Sequence, residues 1–166
     1  THDAEEKICV LAHKKLKNKY SNLLTIIIPR HIQRTNDIIN EIKNLNLKVQ
    51  THSTNNKINK NTEIYLVDTY GETKSFFKIC KAVFLGGSLI NHGGQNPLEP
   101  SRLGNYIING PNVKNFKEIY AYLNNLKISS STSNILKMEN IILKKLKTKI
   151  PDKNIKKIIS IGNDVL

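Results

Sequence analysis

Gly86-Gly87-Ser88-Leu89-Ile90-Asn91-His92-Gly93-Gly94-Gln95-Asn96-Pro97-Leu98-Glu99-Pro100 joins an apolar strand-like run, residues 82–85, to the start of a helix through two glycine pairs. Asn96, Pro97 and Glu99 suit the cap, first and third positions of that helix. An Asn side chain accepts from an orphan amide, and Pro gives up an amide that had no partner. Glu99 then completes something close to a capping box. A helix start open toward a cleft presents free N–H groups and a partial positive charge, which suits a phosphate or a carboxylate. Two readings of the stretch stand: an anion-holding junction, or a plain strand, turn and helix whose glycines only make the turn.

Outward from this junction the chain alternates strands and helices. Upstream, Ile8, Leu11, Ala12, Leu16 and Tyr20 form the apolar stripe of a helix over 5–20. A continuous apolar strand over 23–28 stops at Pro29. A helix over 36–45, a strand over 48–51 and an Asn/Lys-rich loop over 53–61, the one segment that reads as mobile, follow. A strand over 64–67 then leads through Asp68-Thr69-Tyr70-Gly71 into a helix over 72–80. Downstream, the new helix over 97–102 closes at Gly104. A strand over 106–108, a Gly110-Pro111 turn and helices near 116–123, 134–147 and 152–159 complete the chain. Uninterrupted apolar strands between amphipathic helices predict an α/β fold, a Rossmann-like parallel sheet with helices on both faces. In such sheets ligands bind beyond the carboxyl ends of the strands. Pro29-Arg30-His31, the 68–72 segment and the 86–99 segment all follow strands at that edge. There is no GxGxxG after the first strand and no GxxxxGK[ST], so neither a dinucleotide nor a P-loop fingerprint is present.

At 166 residues the chain has the size of one domain, and residues 1–166 are read as a single one. No apolar run approaches the roughly 20 residues of a membrane span. The chain opens on Thr1 without a charged and apolar leader, and a chain that opens inside a motif reads as a fragment or a split half. Cys9 and Cys80 lack metal or redox spacing and are expected as buried free thiols in a reducing compartment. The net charge of +13 fits nucleic acid, an anionic membrane or an anionic substrate. Aromatics are only 6% and do not interleave with basic residues, which sets nucleic acid aside and leaves the anionic membrane surface ahead. Part of the excess is explained equally by lysines on solvated faces in Asn- and Ile-rich surroundings.

Thr1-His2 with Glu5-Glu6, Ala12-His13, 24–31 (LTIIIPRH), Asp68-Thr69-Tyr70-Gly71-Glu72, Gly86-Gly87-Ser88-Leu89, 93–100 (GGQNPLEP), Gly110-Pro111 and Asn115-Phe116 stand in an order that closely resembles the C-terminal half of the 3-deoxy-D-manno-octulosonic acid (Kdo) transferases. The resemblance runs over about residues 1–123. It implies the C-terminal, donor-binding domain of a GT-B glycosyltransferase that moves Kdo from CMP-Kdo onto a lipid A precursor in lipopolysaccharide biosynthesis. The implied location is the cytoplasmic face of the bacterial inner membrane, held peripherally. The acceptor surface, the membrane anchor and the catalytic base are placed in an N-terminal GT-B domain that is not in this chain. No catalytic residue is therefore carried over, and the chain alone is expected to be an inactive part of a transferase. No metal and no cofactor are implied.

The resemblance places CMP against Pro29, Arg30, Tyr70, Gly71, Glu72, Asn96, Pro97, Leu98 and Glu99. It makes Gly86, Gly87, Ser88, Gly93, Gly94 and Gln95 a candidate donor-sugar loop. The chemistry agrees, because a carboxylate such as Glu99 can accept from two ribose hydroxyls and the Arg30 fork fits a phosphate or carboxylate. Plainer readings are a solvated arginine, a capping glutamate and a helix-starting proline. His2, His31 and His92 are read as structural or surface histidines, His31 being the one expected to touch the donor. Glu5 and Glu6 are read as favouring a helix dipole. The chain departs from the family pattern at Ala4, where Gly is usual, at Ile32 for Pro, at Thr73 for Leu and at Ser101 for Ala. Two alternatives stay open: a GT-B donor domain of other nucleotide-sugar specificity, and a non-catalytic split remnant that binds a partner domain or an anionic membrane.

Overall fold

A computed structural model describes residues 1–54 and 57–161. The chain divides into two compact units, Thr1–Thr73 and Lys74–Leu166. In the first, helix α1 (Glu5–Lys17), strand β1 (Thr25–Ile27), helix α2 (Thr35–Asn44), and strands β2 (Val49–Thr51) and β3 (Ile64–Leu66) follow one another. The strands form a parallel sheet in the order β1-β3-β2, with Ile27 and Thr51 both level with Leu66. Val10 of α1, Ile38 and Ile42 of α2, and Ile27, Ile64 and Leu66 of the sheet meet in one core with Leu47. The apolar spacing of each helix is what turns its stripe onto the sheet.

Helix α1 ends three residues before Tyr20, the end expected from its stripe, because the Lys19 and Tyr20 amides both turn back to the Leu16 carbonyl at 2.9 and 3.0 Å. Its first turn corrects a simple dipole reading of the two glutamates: Glu5 and Glu6 are 0% and 1% exposed. A Glu5 oxygen accepts from the His2 amide at 2.9 Å, and Glu6 accepts from Arg34 Nη1 at 3.3 Å, Arg34 also reaching Asp3 at 2.6 Å. Buried carboxylates need such partners, so these residues tie the leading segment and the α2 approach to the helix as well as favouring its dipole. Of the 53–61 loop, Asn55 and Asn56 lie outside the described residues. Gln50 anchors the remainder, donating to the Lys57 carbonyl and accepting from the Asn59 amide and the Thr62 hydroxyl.

His13 lies in this core, its Nδ1 at 2.8 Å from the Thr25 hydroxyl, and its Nε2 has no hydrogen-bond partner among the described residues. Burial, with a smaller contribution from Lys17, lowers its pKa from 6.5 to about 4. Between those values the unfolded chain takes up a proton that the folded chain refuses. Stability is thus held above pH 6.5 and falls toward pH 4, by up to about 3 kcal/mol. Urea midpoints at pH 7 and 4.5 should show that slope in the wild type and a flatter one in His13→Asn, which keeps a polar atom near Nδ1 but does not titrate. Equal slopes in the two proteins would remove His13 as the cause.

Helix α3 (Thr73–Phe77) begins on the last residue of the first unit, and the second unit then carries β4 (Ala82–Leu85), α4 (Leu98–Arg102), β5 (Tyr106–Asn109), α5 (Lys117–Asn125), β6 (Ser129–Ser131), α6 (Ile135–Lys145) and α7 (Asp152–Ser160). Its strands are again parallel, in the order β4-β5-β6, with Leu85 level with Asn109 and Asn109 level with Ser131. Leu85, Ile107, Tyr120, Leu123, Ile128 and Ile158 form its core. Strand β6 is the element that no apolar run announces. Three serines have little strand preference, and the pairing is imposed by the neighbouring β5 ladder. Helix α3 ends at Phe77, short of Cys80. Asn134 caps α6 by accepting from the Leu136 and Lys137 amides at 2.7 and 3.3 Å.

Candidate functional site

In the first unit, β1 delivers Pro29 and Arg30, β2 delivers His52 and Ser53, and β3 delivers the 68–72 segment, all beyond the carboxyl edge of one sheet. Pro29 is buried and Arg30 exposed. The Arg30 amide bonds the Thr1 carbonyl at 2.8 Å, which fixes the backbone from which the guanidinium projects. Tyr70 is 64% exposed, a large aromatic left in water beyond a strand end. Gly71 has φ +89°, and a Cβ there would meet nothing within 4 Å, so its conformation, not crowding, asks for glycine. Glu72 is held at both oxygens: Oε2 lies 2.7 Å from His52 Nε2, and Oε1 accepts from the Thr69 hydroxyl at 3.3 Å. Asp68 accepts from the Ser53 amide and hydroxyl at 2.8 and 2.5 Å. Burial would raise its pKa, but those bonds and the nearby His52 outweigh burial and lower it.

The second unit sets its glycine junction directly after β4. Gly86, Gly87, Ser88, Gly93 and Gly94 are buried, Gln95 half-buried. Ser88 is the pin: its hydroxyl donates to the Leu85 carbonyl at 2.5 Å and accepts from the Gly110 amide at 2.8 Å. The Gly94 amide closes the loop on the Gly87 carbonyl at 2.8 Å. Gly93 and Gly94 have φ of +98° and +77°, and the space beside them is filled by Asn115 and by Asn112-Val113. Their small size thus serves loop-on-loop packing. Asn96 Oδ1 accepts from the Leu98 amide at 3.0 Å, but the helix begins one residue later than its side chains suggest, at Leu98, with Pro97 in the cap position and Glu99 second instead of third. The capping box expected of Glu99 is not closed. Its carboxylate stands away from the Asn96 amide, 54% exposed, with Lys74 Nζ at 4.0 Å. So loose a pair between exposed groups holds it weakly.

Two departures from the family pattern have a physical reading. Ala4 sits at φ +66°, a conformation that glycine takes without cost and alanine does not. Ser101 is 0% exposed, and its hydroxyl, which an alanine would lack, is satisfied by the Leu98 carbonyl at 2.9 Å. His31 is exposed, its ring edge-on to that of His2 at 6.1 Å. His52 and Ser53, absent from any sequence motif, were missed because only the strand register brings them level with Asp68. Cys9 and Cys80 are free but half-buried where buried thiols were expected, and desolvation of its sulfur still pushes the Cys9 thiol up to about 12, which leaves it unreactive. Among the described residues no group of His, Cys, Asp and Glu is placed to hold a metal, and no helix is long and apolar enough to cross a membrane.

No protein-family model matches the chain. Among curated proteins it is 39% identical over 123 residues to a 3-deoxy-D-manno-octulosonic acid transferase of Haemophilus influenzae, covering 74% of this chain and 29% of the relative. It is 26% identical over 157 residues to the transferase of that name from Aquifex aeolicus, covering 92% of this chain and 43% of the relative. The chain therefore spans less than half the length of these relatives. Among solved structures it superposes on the C-terminal CMP-Kdo binding domain of WaaA from Acinetobacter baumannii with a TM-score of 0.82 and 27% identity, over 99% of this chain and 84% of that one. Parallel sheets flanked by helices, the same fold from end to end and the shared sequence lead to one assignment: the chain belongs to the Kdo transferases, as their C-terminal domain.

Proposed function

We propose that residues 1–166 act as one donor-binding domain, the half of a GT-B enzyme that holds CMP-Kdo while Kdo is transferred to a lipid A precursor. The observation that supports this most is the fold match over 99% of the chain to a domain described as CMP-Kdo binding. The residues we assign to nucleotide contact are Pro29, Arg30, Tyr70, Gly71, Glu72, Asn96, Pro97, Leu98 and Glu99. Glu72 and Glu99 are exposed enough to accept from ribose hydroxyls, and Tyr70 offers a solvent-facing ring. Arg30 and backbone amides near Asn96 stabilise phosphate charge as CMP departs. Helix α4 has only five residues, so individual amides matter there more than a summed dipole. The 86–95 loop, fixed by Ser88, faces the sugar with backbone and Gln95. An N-terminal GT-B domain supplies the base that activates the acceptor hydroxyl. The enzyme works peripherally on the cytoplasmic face of the inner membrane. Exposed Lys144, Lys147, Lys149, Lys153, Lys156 and Lys157 near the chain's end support attraction to anionic lipid.

Calorimetric titration with CMP tests the assignment. Arg30→Ala and Glu99→Ala should each weaken CMP by about 1–3 kcal/mol, the loss of one charge-assisted hydrogen bond. Both residues are exposed, so the urea midpoint should not move. Unchanged affinity in a folded variant would remove that residue from the site, and unfolding would mark it as structural.

A further inference from the structure

At the carboxyl ends of strands β2 and β3 a polar chain links Glu72 of the 68–72 segment to two residues outside any motif, Tyr65 and His52. The hydroxyl of Tyr65, a residue 5% exposed, lies 2.8 Å from His52 Nδ1, the two rings edge-on at 5.7 Å, and His52 Nε2 lies 2.7 Å from Glu72 Oε2. A carboxylate only accepts, so Nε2 carries the hydrogen, and in the neutral ring Nδ1 accepts from the phenol. Burial, then the charges of Asp68 and Glu72, raise the Tyr65 pKa and keep that phenol protonated. The short turn His52–Thr54 is itself clamped, since Ser53 donates twice to Asp68 at the end of β3. The turn, the ring and the carboxylate thus form one braced unit. Glu72 still keeps 44% of its side-chain surface open to solvent.

We propose that His52 is a positioning residue for the nucleotide site: clamped by Tyr65 and the Ser53–Asp68 pair, it fixes the Glu72 carboxylate in the orientation that accepts from the donor's ribose hydroxyls. This rests on the donor-binding reading above. A carboxylate at a side-chain end has several rotamers, and a ligand that needs one of them binds more weakly when the others are populated. Holding Oε2 with a fixed N–H removes that cost and leaves the outward lone pairs for the ligand.

The test is CMP titration of the full chain carrying substitutions at His52 and Glu72. A Gln amide nitrogen can stand near Nε2 and an Asn amide nitrogen near Nδ1, so His52→Gln should keep most of the affinity. His52→Asn and His52→Ala should each lose about tenfold, the value of one charge-assisted bond. Added to Glu72→Ala, His52→Ala should cost nothing further, because the carboxylate it positions is gone. A merely structural histidine would not separate Gln from Asn in this way. Long-range proton–nitrogen NMR of the imidazole should show the Nε2–H tautomer, and Tyr65→Phe should weaken that preference. If Glu72→Ala weakens CMP while His52→Ala in a folded chain does not, the positioning role is wrong. An Nδ1–H tautomer in the wild type would also overturn it. If neither the wild type nor the Glu72 variant responds to CMP, the donor-binding reading itself falls.

Discussion

Incubated alone with CMP-Kdo and a lipid A precursor, the 166-residue chain is expected to form no transfer product at all. The chain covers 29% of the Haemophilus influenzae transferase and 43% of the Aquifex aeolicus one, and the family resemblance puts the base in the other half. A missing general base costs about 10²–10⁴-fold, and loss of the surface that orients the acceptor multiplies that deficit. Mass spectrometry of the lipid product, with and without an added N-terminal half, checks it. Product formed only with the added half supports the division of labour. Transfer by the chain alone would refute it.

Gly110→Ala should destabilise this fold severely, and far more than Gly71→Ala. A Cβ there would stand 2.1 Å from the Ser88 carbonyl oxygen and 2.6 Å from the Leu89 nitrogen. Both are backbone, so no rotamer change relieves the clash. The turn after β5 must leave the loop after β4, which also breaks the Gly110 amide bond to the Ser88 hydroxyl and the Asn112 amide bond to the Ser88 carbonyl. Overpacking and two lost hydrogen bonds together should cost about 3–5 kcal/mol. Gly71→Ala, which meets no atom but needs φ +89°, should cost only about 1–2 kcal/mol. Urea denaturation ranks the two, and a Gly110→Ala loss below that of Gly71→Ala would contradict the steric account.

The α/β class was legible because apolar runs such as 64–67 and 82–85 announce buried parallel strands, and helix stripes announce their packing faces. What escaped were features set by tertiary pairing. Strand β6 is three serines that become a strand only through the β5 ladder. In the site, the bond of the Asn96 side chain to the Leu98 amide was legible because it is local, between residues two apart, although the helix starts one residue later than expected. Glu99 misreads as a capping box because the helix starts at Leu98, which makes Glu99 its second residue and not its third. His52 and the Arg34 partner of Glu6 were invisible, since each meets its carboxylate across 20 or more residues of sequence. The glycine pairs illustrate a further limit: sequence shows where side chains are missing, but not that Asn115 and Val113 fill the space beside Gly93 and Gly94.

Titration calorimetry of the unmodified chain with CMP, and with UMP beside it, bears most directly on the central claim that this is a cytidylyl-donor domain. On the proposed donor-domain reading the chain alone lacks the preorganisation of a closed cleft, so CMP should bind with modest affinity, and measurably more tightly than UMP. Equal binding of CMP and UMP, or binding of neither to a folded chain, would contradict the claim.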